Sequence, residues 1–376
     1  MDLSLTENQE MLRNSAKEFI QREYPKEVLL DLSSRNVGHT PDLWEKVADI
    51  GWLGICVPQE YGGAGGSLTD AGVLFQELGR GPIPGPFFSS GILGVLTVLE
   101  GGSEEQRRHI LPAIAGGSHT PTLALTESDY GWGPQWVQMK ATRKSGGFLL
   151  NGVKLFVQDA QTASHYICAV RSGEGSDHSD GISLLIVDSN SPGITKRNLP
   201  GFLTTSGVVE FNSVDVPDSA LLGDEGKGWH TLERAMEKAI PVLCAYKVGG
   251  CEAVFDMSVA YSRTRVQFGM PIGRFQRVQD HIINLVNYLD AARWTTYEAL
   301  WKLDTGRPTA GSVNLAKGVS SEAYYQSCNY AHEVHAGVGV MTEYGLTLHT
   351  EMSRTLYHYL GDPRYHKRRL AEALEL

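Results

Sequence analysis

The chain has 376 residues, of which 41% are hydrophobic and 20% charged, a balance typical of a folded protein with a large core. Its 33 basic and 43 acidic residues give a formal net charge of −10, which disfavours binding to a nucleic-acid backbone. At roughly 100 to 200 residues per domain, this length predicts two or three domains.

The cysteines, the N-terminal segment and the apolar runs indicate the cellular compartment of the protein. The five cysteines are odd in number, and no two have the close spacing of a metal site or a redox motif. We therefore expect no metal and buried free thiols, as in the reducing cytoplasm. The N-terminal segment lacks the basic stretch and apolar core of a signal peptide. No apolar run reaches the ~20 residues that span a bilayer, so we expect a cytoplasmic protein without a membrane span.

Residues 1–120 are predicted to form an N-terminal helical domain. Thr6 is suited to cap a first helix, whose apolar stripe is expected to begin at Met11. Pro25 follows the end of that helix, because the residue before a proline avoids helical geometry. Further helices are expected at 41–50, 69–78 and 104–114.

The pattern changes to short strands between residues 121 and 227, which predicts a middle β domain. Asn151-Gly152 can supply the two positive φ angles of a tight turn, so residues 148–157 are predicted to form a β-hairpin. Runs rich in Val and Ile predict other strands at 165–170, 182–187 and 208–216.

Residues 228–376 return to helical periodicity. A helix is expected from 229 to 264 with a kink at Pro241, and another from 282 to 301 that Gly306 and Pro308 end. Further helices are expected at 309–335 and 345–360. Long helices joined by short loops predict a C-terminal four-helix bundle. The predicted fold class is therefore α+β, with helical, β and helical domains in that order.

Five short segments, distributed along nearly the whole chain, allow a more specific interpretation of the fold and function. They are 125–129 (LTESD), 154–160 (KLFVQDA), 214–228 (VDVPDSALLGDEGKG), 265–273 (RVQFGMPIG) and 335–344 (HAGVGVMTEY). Together these segments resemble the motifs of the acyl-CoA dehydrogenase family. The resemblance implies an acyl-CoA dehydrogenase-like fold with FAD between the β domain and the C-terminal bundle.

The resemblance also assigns cofactor contacts. It implies that Leu125 and Thr126 face the flavin ring, that Phe156 stacks near it, and that Gln158 replaces the Thr or Ser that usually bonds flavin N5. Glu333 replaces a Gln near the cofactor diphosphate. The remaining residues would contact the FAD of a neighbouring subunit: Arg265, Gln267, Phe268, Gln276, Gly337 and Gly339.

The resemblance leaves the catalytic base open. Family members use a Glu to remove the proton next to the thioester carbonyl, but Leu360 stands at that position and Ala239 at the alternative one. The Leu360 backbone N–H can still bind the thioester carbonyl. Asp362 is the nearest candidate base, and the implied substrate-binding residues are Glu237 and Tyr359.

Three functions remain at this point. The first is FAD-dependent α,β-dehydrogenation of an acyl-CoA with a relocated base, for which branched, cyclic and aromatic acyl groups are candidates. The second is a non-catalytic FAD-binding subunit of a heteromeric dehydrogenase, and the third is a lyase or desulfinase on the same scaffold. The resemblance implies an electron-transfer flavoprotein or similar acceptor, and a homotetramer or a heterotetramer with a paralogue.

Overall fold

The computed structural model describes residues 4–129, 131–199 and 205–376. The first three residues of the N-terminal segment considered above lie outside the described residues. The chain divides into two compact units. One, which we call the helical unit, comprises Met1–Asn36, Leu68–Ile83 and Ile240–Leu376, and the other, the sheet unit, comprises Val37–Ser67 and Pro84–Ala239. The division into three sequence domains stays a prediction.

The secondary structure follows the predicted order of helices, strands and helices. The helices are α1 (Glu7–Glu23), α2 (Lys26–Ser34), α3 (Pro41–Asp49), α4 (Leu68–Arg80), α5 (Val95–Gly101), α6 (Glu104–Ala115), α7 (Gly228–Thr264), α8 (Gln276–Asp304), α9 (Ala310–His335), α10 (Leu346–His358) and α11 (Pro363–Ala373). The strands are β1 (Pro121–Ala124), β2 (Lys140–Lys144), β3 (Gly147–Gln158), β4 (His165–Arg171), β5 (Ile182–Asp188), β6 (Ile194–Asn198), β7 (Ser206–Pro217), β8 (Leu221–Leu222), β9 (Val266–Gln267) and β10 (Met270–Pro271).

The start of α1 confirms the predicted cap. Gln9 N donates to Thr6 Oγ1 at 3.3 Å, and Thr6 N donates to Gln9 Oε1 at 3.0 Å, which together form a capping box. The prediction that Met11 belongs to the buried stripe was wrong, since its side chain is 60% exposed. Met11 precedes the buried Ala16 by five residues, so it is rotated by about 140° from the buried face.

The sheet unit is built on one sheet with the strand order β6-β7-β3-β2-β4-β5-β8, and β1 pairs in parallel with β4. Its core is the inward face of these strands, where Phe148, Tyr166 and Cys168 are fully buried. The predicted strands at 165–170, 182–187 and 208–216 are confirmed as β4, β5 and β7. This scaffold holds segment 125–127 at the end of β1.

The predicted hairpin at Asn151-Gly152 was wrong. Residues 147–158 form one continuous strand, and the tight turn lies at Ser145-Gly146, where Lys144 pairs with Gly147. Asn151-Gly152 instead marks an irregularity in the pairing of β3 with β7, where Gly152 has φ +151°. The same tolerance of positive φ that favours Asn-Gly in a turn thus serves a bulge within the strand.

The helical unit confirms the predicted helices after residue 228, whereas α2 and α11 were not predicted. The helix predicted at 345–360 ends at His358, because Tyr359 is extended with ψ 127°, and Leu360 and Gly361 follow with left-handed φ angles of +57° and +104°. Among the described residues, none of the helices combines the length and apolar character that a bilayer crossing requires.

Glycines let α4 approach α7 closely within the helical unit. A Cβ atom added to Gly79 would overlap the carbonyl oxygen of Tyr246, and one added to Gly249 would overlap that of Gln76. Both obstacles are backbone atoms, which cannot move aside as a flexible side chain would. The two helices can therefore approach this closely only with glycine at positions 79 and 249.

We predict that Gly79→Ala lowers the free energy of unfolding by about 1–3 kcal/mol, because the methyl group overpacks the contact with α7. Gly311→Ala in α9 is the matched control, since its nearest neighbour would be Leu370 Cδ1 at an ordinary 3.7 Å. That control should be neutral or stabilising by up to about 1 kcal/mol, the usual gain of Ala over Gly in a helix. Urea denaturation measures the free energy of unfolding of both variants. Equal changes in the two variants would contradict the steric explanation.

Candidate functional site

A fully buried lysine of the sheet unit fixes the segment that follows β1. Lys154 Nζ donates to Leu125 O at 3.2 Å and to Ala169 O at 2.7 Å, and forms an ion pair with Glu127 Oε1 at 2.6 Å. The Glu127 carboxylate also accepts from Met139 N at 2.9 Å. Burial lowers the pKa of Lys154, and the adjacent carboxylate opposes that effect. Removing one member of such a pair typically costs about 3–5 kcal/mol, so this segment is rigidly placed.

The sequence-predicted residues of the sheet unit lie around this anchor. Thr126, which is half-buried, accepts a backbone hydrogen bond from Leu155 N at 2.8 Å. Phe156 has φ +53° and is 51% exposed, at a shift in the pairing of β3 with β7. The half-buried Gln158 accepts from Thr122 Oγ1 at 2.8 Å through its backbone carbonyl. The strand irregularity therefore presents one aromatic ring to solvent beside a fixed polar loop.

Sequence analysis missed the buried carboxylate that follows Gln158. Asp159 accepts hydrogen bonds from Ser89 Oγ at 2.7 Å and Thr205 Oγ1 at 3.3 Å, and it is 5% exposed. Burial raises the pKa of Asp159 to about 6, although the two hydroxyl donors act in the opposite direction. The sequence could have drawn attention to Asp159, because it lies in segment 154–160 at a position where the family motif has Asn.

In the helical unit, the turn after α10 carries the residues that were expected at the reaction centre. Leu360 is buried, and its carbonyl accepts from His366 Nε2 at 2.9 Å. The Gly361 carbonyl accepts from Lys317 Nζ at 2.6 Å, and Gly361 N donates to His358 O at 3.1 Å. Burial lowers the pKa of His366 to about 3, so the neutral ring donates this bond through its Nε2–H.

The two functional groups predicted in this turn have different surroundings. The Leu360 N–H donates to no backbone carbonyl within the described chain. Asp362 is the N-cap of α11, where its Oδ1 accepts from Tyr365 N at 2.7 Å. Tyr359 is half-buried beside them. The turn therefore offers an uncommitted backbone donor, whereas its carboxylate already stabilises a helix.

A second group of predicted residues lies on a small hairpin of the helical unit. Strands β9 and β10 enclose Phe268 and Gly269, whose φ angles of +51° and +80° form the turn. Phe268 is 89% exposed, and Arg265, Gln267 and Gln276 are exposed around it. These side chains present a cation, amide donors and an aromatic ring to solvent.

The turn after α9 supplies backbone surface and an exposed acid. A Cβ added to Gly337 would meet no atom within 4 Å, whereas Gly339 is packed against His332, His335 and Leu346. Glu333 is exposed on α9. In the sheet unit, Glu237 is half-buried and Ala239 fully buried at the start of α7. The predicted residues therefore lie partly on the sheet unit and partly on the helical unit.

We predict that Asp159→Asn raises stability at neutral pH and has little effect near pH 4. The folded protein holds the carboxyl proton up to about pH 6, whereas an unfolded chain releases it near 3.8. The stabilisation by the protonated form is therefore complete below about pH 4 and is lost as the pH rises through 6. The difference of about two between the folded and unfolded pKa values corresponds to roughly 3 kcal/mol in the free energy of unfolding.

Thermal unfolding of both proteins between pH 4 and pH 8 measures this effect. The exposed Asp224 provides the control, because Asp224→Asn reports the loss of one negative charge alone. A difference between Asp159→Asn and wild type that stays constant with pH would contradict the assignment.

Comparison with known proteins covers almost the whole chain. Three family models match in order: acyl-CoA dehydrogenase N-terminal domain at residues 6–118, middle domain at 122–213 and C-terminal domain at 226–375. Probable acyl-CoA dehydrogenase YngJ of Bacillus subtilis (strain 168) is 31% identical over 356 residues, 92% of each chain. Acryloyl-CoA reductase (NADH) of Anaerotignum propionicum is 29% identical and covers 98% of this chain and 94% of the relative.

One further relative and two solved structures extend this comparison. The caffeyl-CoA reductase-Etf complex subunit CarC of Acetobacterium woodii is 27% identical over 90% of each chain. The FAD complex of PigA superposes with a TM-score of 0.94 at 26% identity over the full length of both chains. The glutaryl-coenzyme A dehydrogenase complex with glutaryl-CoA gives 0.93 at 26% identity and covers 100% of this chain and 97% of that one.

Proposed function

We propose that this chain, which belongs to the acyl-CoA dehydrogenase family, interconverts an acyl-CoA and its α,β-unsaturated form with FAD as its cofactor. FAD-dependent oxidoreduction of acyl-CoA is the general activity of the family, and bound FAD supplies the hydride chemistry. The observation that carries the proposal is the 359–362 turn. The carbonyls of Leu360 and Gly361 accept hydrogen bonds from buried side chains, while the Leu360 N–H donates to no backbone carbonyl in the described chain.

The exposed groups of the helical unit fit an anionic, aromatic cofactor. Arg265 offers a planar fork of donors that suits a diphosphate, and Gln267 adds an amide. The open surface at Gly337 allows close approach to the backbone. In the sheet unit, the exposed ring of Phe156 and the fixed carbonyl of Thr126 suit an aromatic ring system. We propose that these residues hold FAD.

The Leu360 N–H is suited to polarise a thioester carbonyl. Removal of the α-proton shifts negative charge onto the carbonyl oxygen, and a pre-placed donor stabilises this charge as it develops. The extended conformation of Tyr359, with ψ 127°, turns the Leu360 N–H out of the helical direction of α10. Burial of the Leu360 side chain excludes water from the same place.

We propose Asp362 as the relocated base, and the structure allows a clean test. Asp362 caps α11 through Oδ1, so a base role must use Oδ2. Asp and Asn are similarly good N-caps, whereas Ala is poor. Asp362→Asn therefore removes basicity and keeps the cap, while Asp362→Ala removes both.

We predict that Asp362→Asn lowers turnover about 10²- to 10⁴-fold, the usual effect of losing a general base, with little change in melting temperature. Asp362→Ala should lose activity equally and melt at a lower temperature. Turnover is measured with an acyl-CoA panel and an artificial electron acceptor, in parallel with bleaching of the flavin absorption. Activity within a few-fold of wild type in Asp362→Asn would exclude Asp362 as the base.

A second candidate function is a non-catalytic FAD-binding subunit. It is favoured by the burial of apolar side chains at both usual base positions, where Leu360 is 7% and Ala239 0% exposed. If this function is correct, wild type binds FAD and acyl-CoA without bleaching the flavin. We predict that Leu360→Glu then creates measurable bleaching, while the same-sized Leu360→Gln does not. Bleaching by wild type that Leu360→Glu leaves unchanged would contradict this alternative.

We propose an electron-transfer flavoprotein as the electron acceptor, because one relative is a subunit of a caffeyl-CoA reductase-Etf complex. We also propose a tetramer, either of identical chains or with a paralogue. The exposed Arg265, Gln267 and Phe268 support it, since they suit contacts with a neighbouring subunit's cofactor. Light scattering of the FAD-loaded protein tests the assembly, and a monomer would overturn it.

A further inference from the structure

The sheet unit contains a cavity of about 450 Å³ to which no role has been given above. It lies between the first two turns of α6 and the sheet, where β4 begins and where β5 and β7 end. None of the residues proposed for FAD, for the acyl-CoA or for the base lines it. Small-molecule sites typically enclose about 300–1,000 Å³, so the cavity is large enough for a small organic ligand.

Hydrogen bonds fix the walls of this cavity before any ligand binds. Gln106 of α6 donates through Nε2 to Ser219 O at 2.8 Å and to Leu221 O at 3.0 Å, which joins α6 to the segment after β7. At the end of β5, Asp188 Oδ1 accepts from Asn190 N at 2.8 Å. A preformed cavity binds a ligand with a smaller loss of conformational freedom than a mobile one.

Three histidines contribute polar surface to the cavity without adding a positive wall. The rings of His119 and His165 are stacked, with centroids 4.8 Å apart and 11° between their planes, and His109 meets His119 edge-on at 6.1 Å. Two imidazolium rings at the stacked distance would repel each other, so the stack favours neutral rings. Burial, and then a neighbouring histidine, lower the pKa of both His119 and His165, although Asp188 opposes this effect. The stacked pair is therefore neutral at pH 7.

The fixed charges of the cavity are negative. Glu105 and Asp188 line it, and neither carboxylate forms a salt bridge within the described chain. Asp215 also lines it but pairs with Lys144, and Lys196, from outside the lining, offsets part of the charge of Asp188. Among the described residues that line the cavity, none is a lysine or an arginine. Phosphates and carboxylates are therefore disfavoured here, and a cation is favoured.

The rest of the lining suits the apolar part of a ligand. Ile110 of α6, Ile186 of β5 and Val216 of β7 contribute aliphatic side chains. A ligand with one ammonium group can direct this group to the carboxylates while its hydrocarbon part contacts the aliphatic side chains. This division into a few polar groups and a mostly apolar surface is the usual composition of a small-molecule site.

We propose that this cavity binds a small organic amine in its cationic form, with an apolar body, and that neither FAD nor acyl-CoA occupies it. Both of those ligands carry phosphate groups, which the carboxylates of Glu105 and Asp188 repel. The inference goes beyond the proposed function and does not rest on it, because it uses other residues and needs no turnover.

Calorimetric titration of the FAD-loaded protein with 2-phenylethylamine at pH 7 tests the proposal. The amine should bind saturably, with one molecule per chain, and should leave the flavin absorption spectrum unchanged. The comparison ligand is 2-phenylethanol, which has the same ring and nearly the same size but no charge. It should bind at least about twofold more weakly, since it gains nothing from the carboxylates.

Variants of the lining locate the bound amine. Asp188→Asn keeps the oxygen that accepts from Asn190 N and removes the charge, so it should weaken binding of the amine about two- to fivefold. The affinity for 2-phenylethanol should not change. Asp224→Asn is the matched control, because it removes an exposed carboxylate of the same unit that does not line the cavity. Ala220→Phe, which places a ring at the lining, should abolish binding of both ligands.

Each other outcome overturns the proposal. Without saturable binding there is no site, and equal affinities for the amine and the alcohol reject a cationic ligand. Equal losses in Asp188→Asn and Asp224→Asn reduce the effect to attraction by the net charge of −10. A changed flavin spectrum, or binding that survives Ala220→Phe, places the amine elsewhere. If Ala220→Phe does not fold, the comparison of Asp188→Asn with Asp224→Asn decides.

Discussion

A lysine amine that is removed from water must find hydrogen-bond acceptors, and this requirement shapes both functional segments of the protein. Lys154, Lys247 and Lys317 are fully buried. Lys154 satisfies its amine with Glu127 and the carbonyls of Leu125 and Ala169, and Lys317 uses the carbonyl of Gly361. Two of these acceptors, Leu125 O and Gly361 O, are backbone atoms of irregular segments, which otherwise lack the support of a helix or a sheet. Hydrogen bonds from the buried lysines therefore hold these loops in place.

Five of the nine non-glycine residues with positive φ angles among the described residues lie in segments for which we propose a function. Phe156, Asp159, Phe268, Ala336 and Leu360 all have positive φ angles, although none of them is glycine. Each such conformation is held only where surrounding contacts determine it, and all of these residues except Leu360 lie in the segments that resemble the family motifs. At Phe156 the outlier presents a ring to solvent, and at Leu360 it follows the extended residue Tyr359, which turns the Leu360 N–H away from α10. Strain in this protein thus positions groups and does not reflect poor packing.

In the function we propose, the turn after α10 keeps one part of the family's reaction centre and lacks another. The Leu360 side chain has no group that can take a proton, but its N–H belongs to the backbone and does not depend on the side chain. The carbonyls on either side of Gly361 N remain held by His366 and Lys317. Polarisation of a thioester carbonyl and removal of its α-proton are therefore separable tasks here. Because these two tasks are separable, the geometry of the turn is compatible both with a dehydrogenase and with a non-catalytic partner subunit.

The sequence by itself determined the order of helices and strands, because hydrophobic periodicity and capping residues such as Thr6 act over a few neighbouring positions. The motif order also identified the family and indicated that Leu360 stands where the family's Glu is expected. Tertiary structure alone decided that Asn151-Gly152 forms an irregular strand and not a turn, since the competing turn at Ser145-Gly146 and the partner strand β7 decide the pairing. It also decided that Asp362 caps a helix and that Asp159, Lys247 and Lys317 are buried. A charged residue has the same identity at the surface and in the core, and only the elements packed around it determine its charge and its partners.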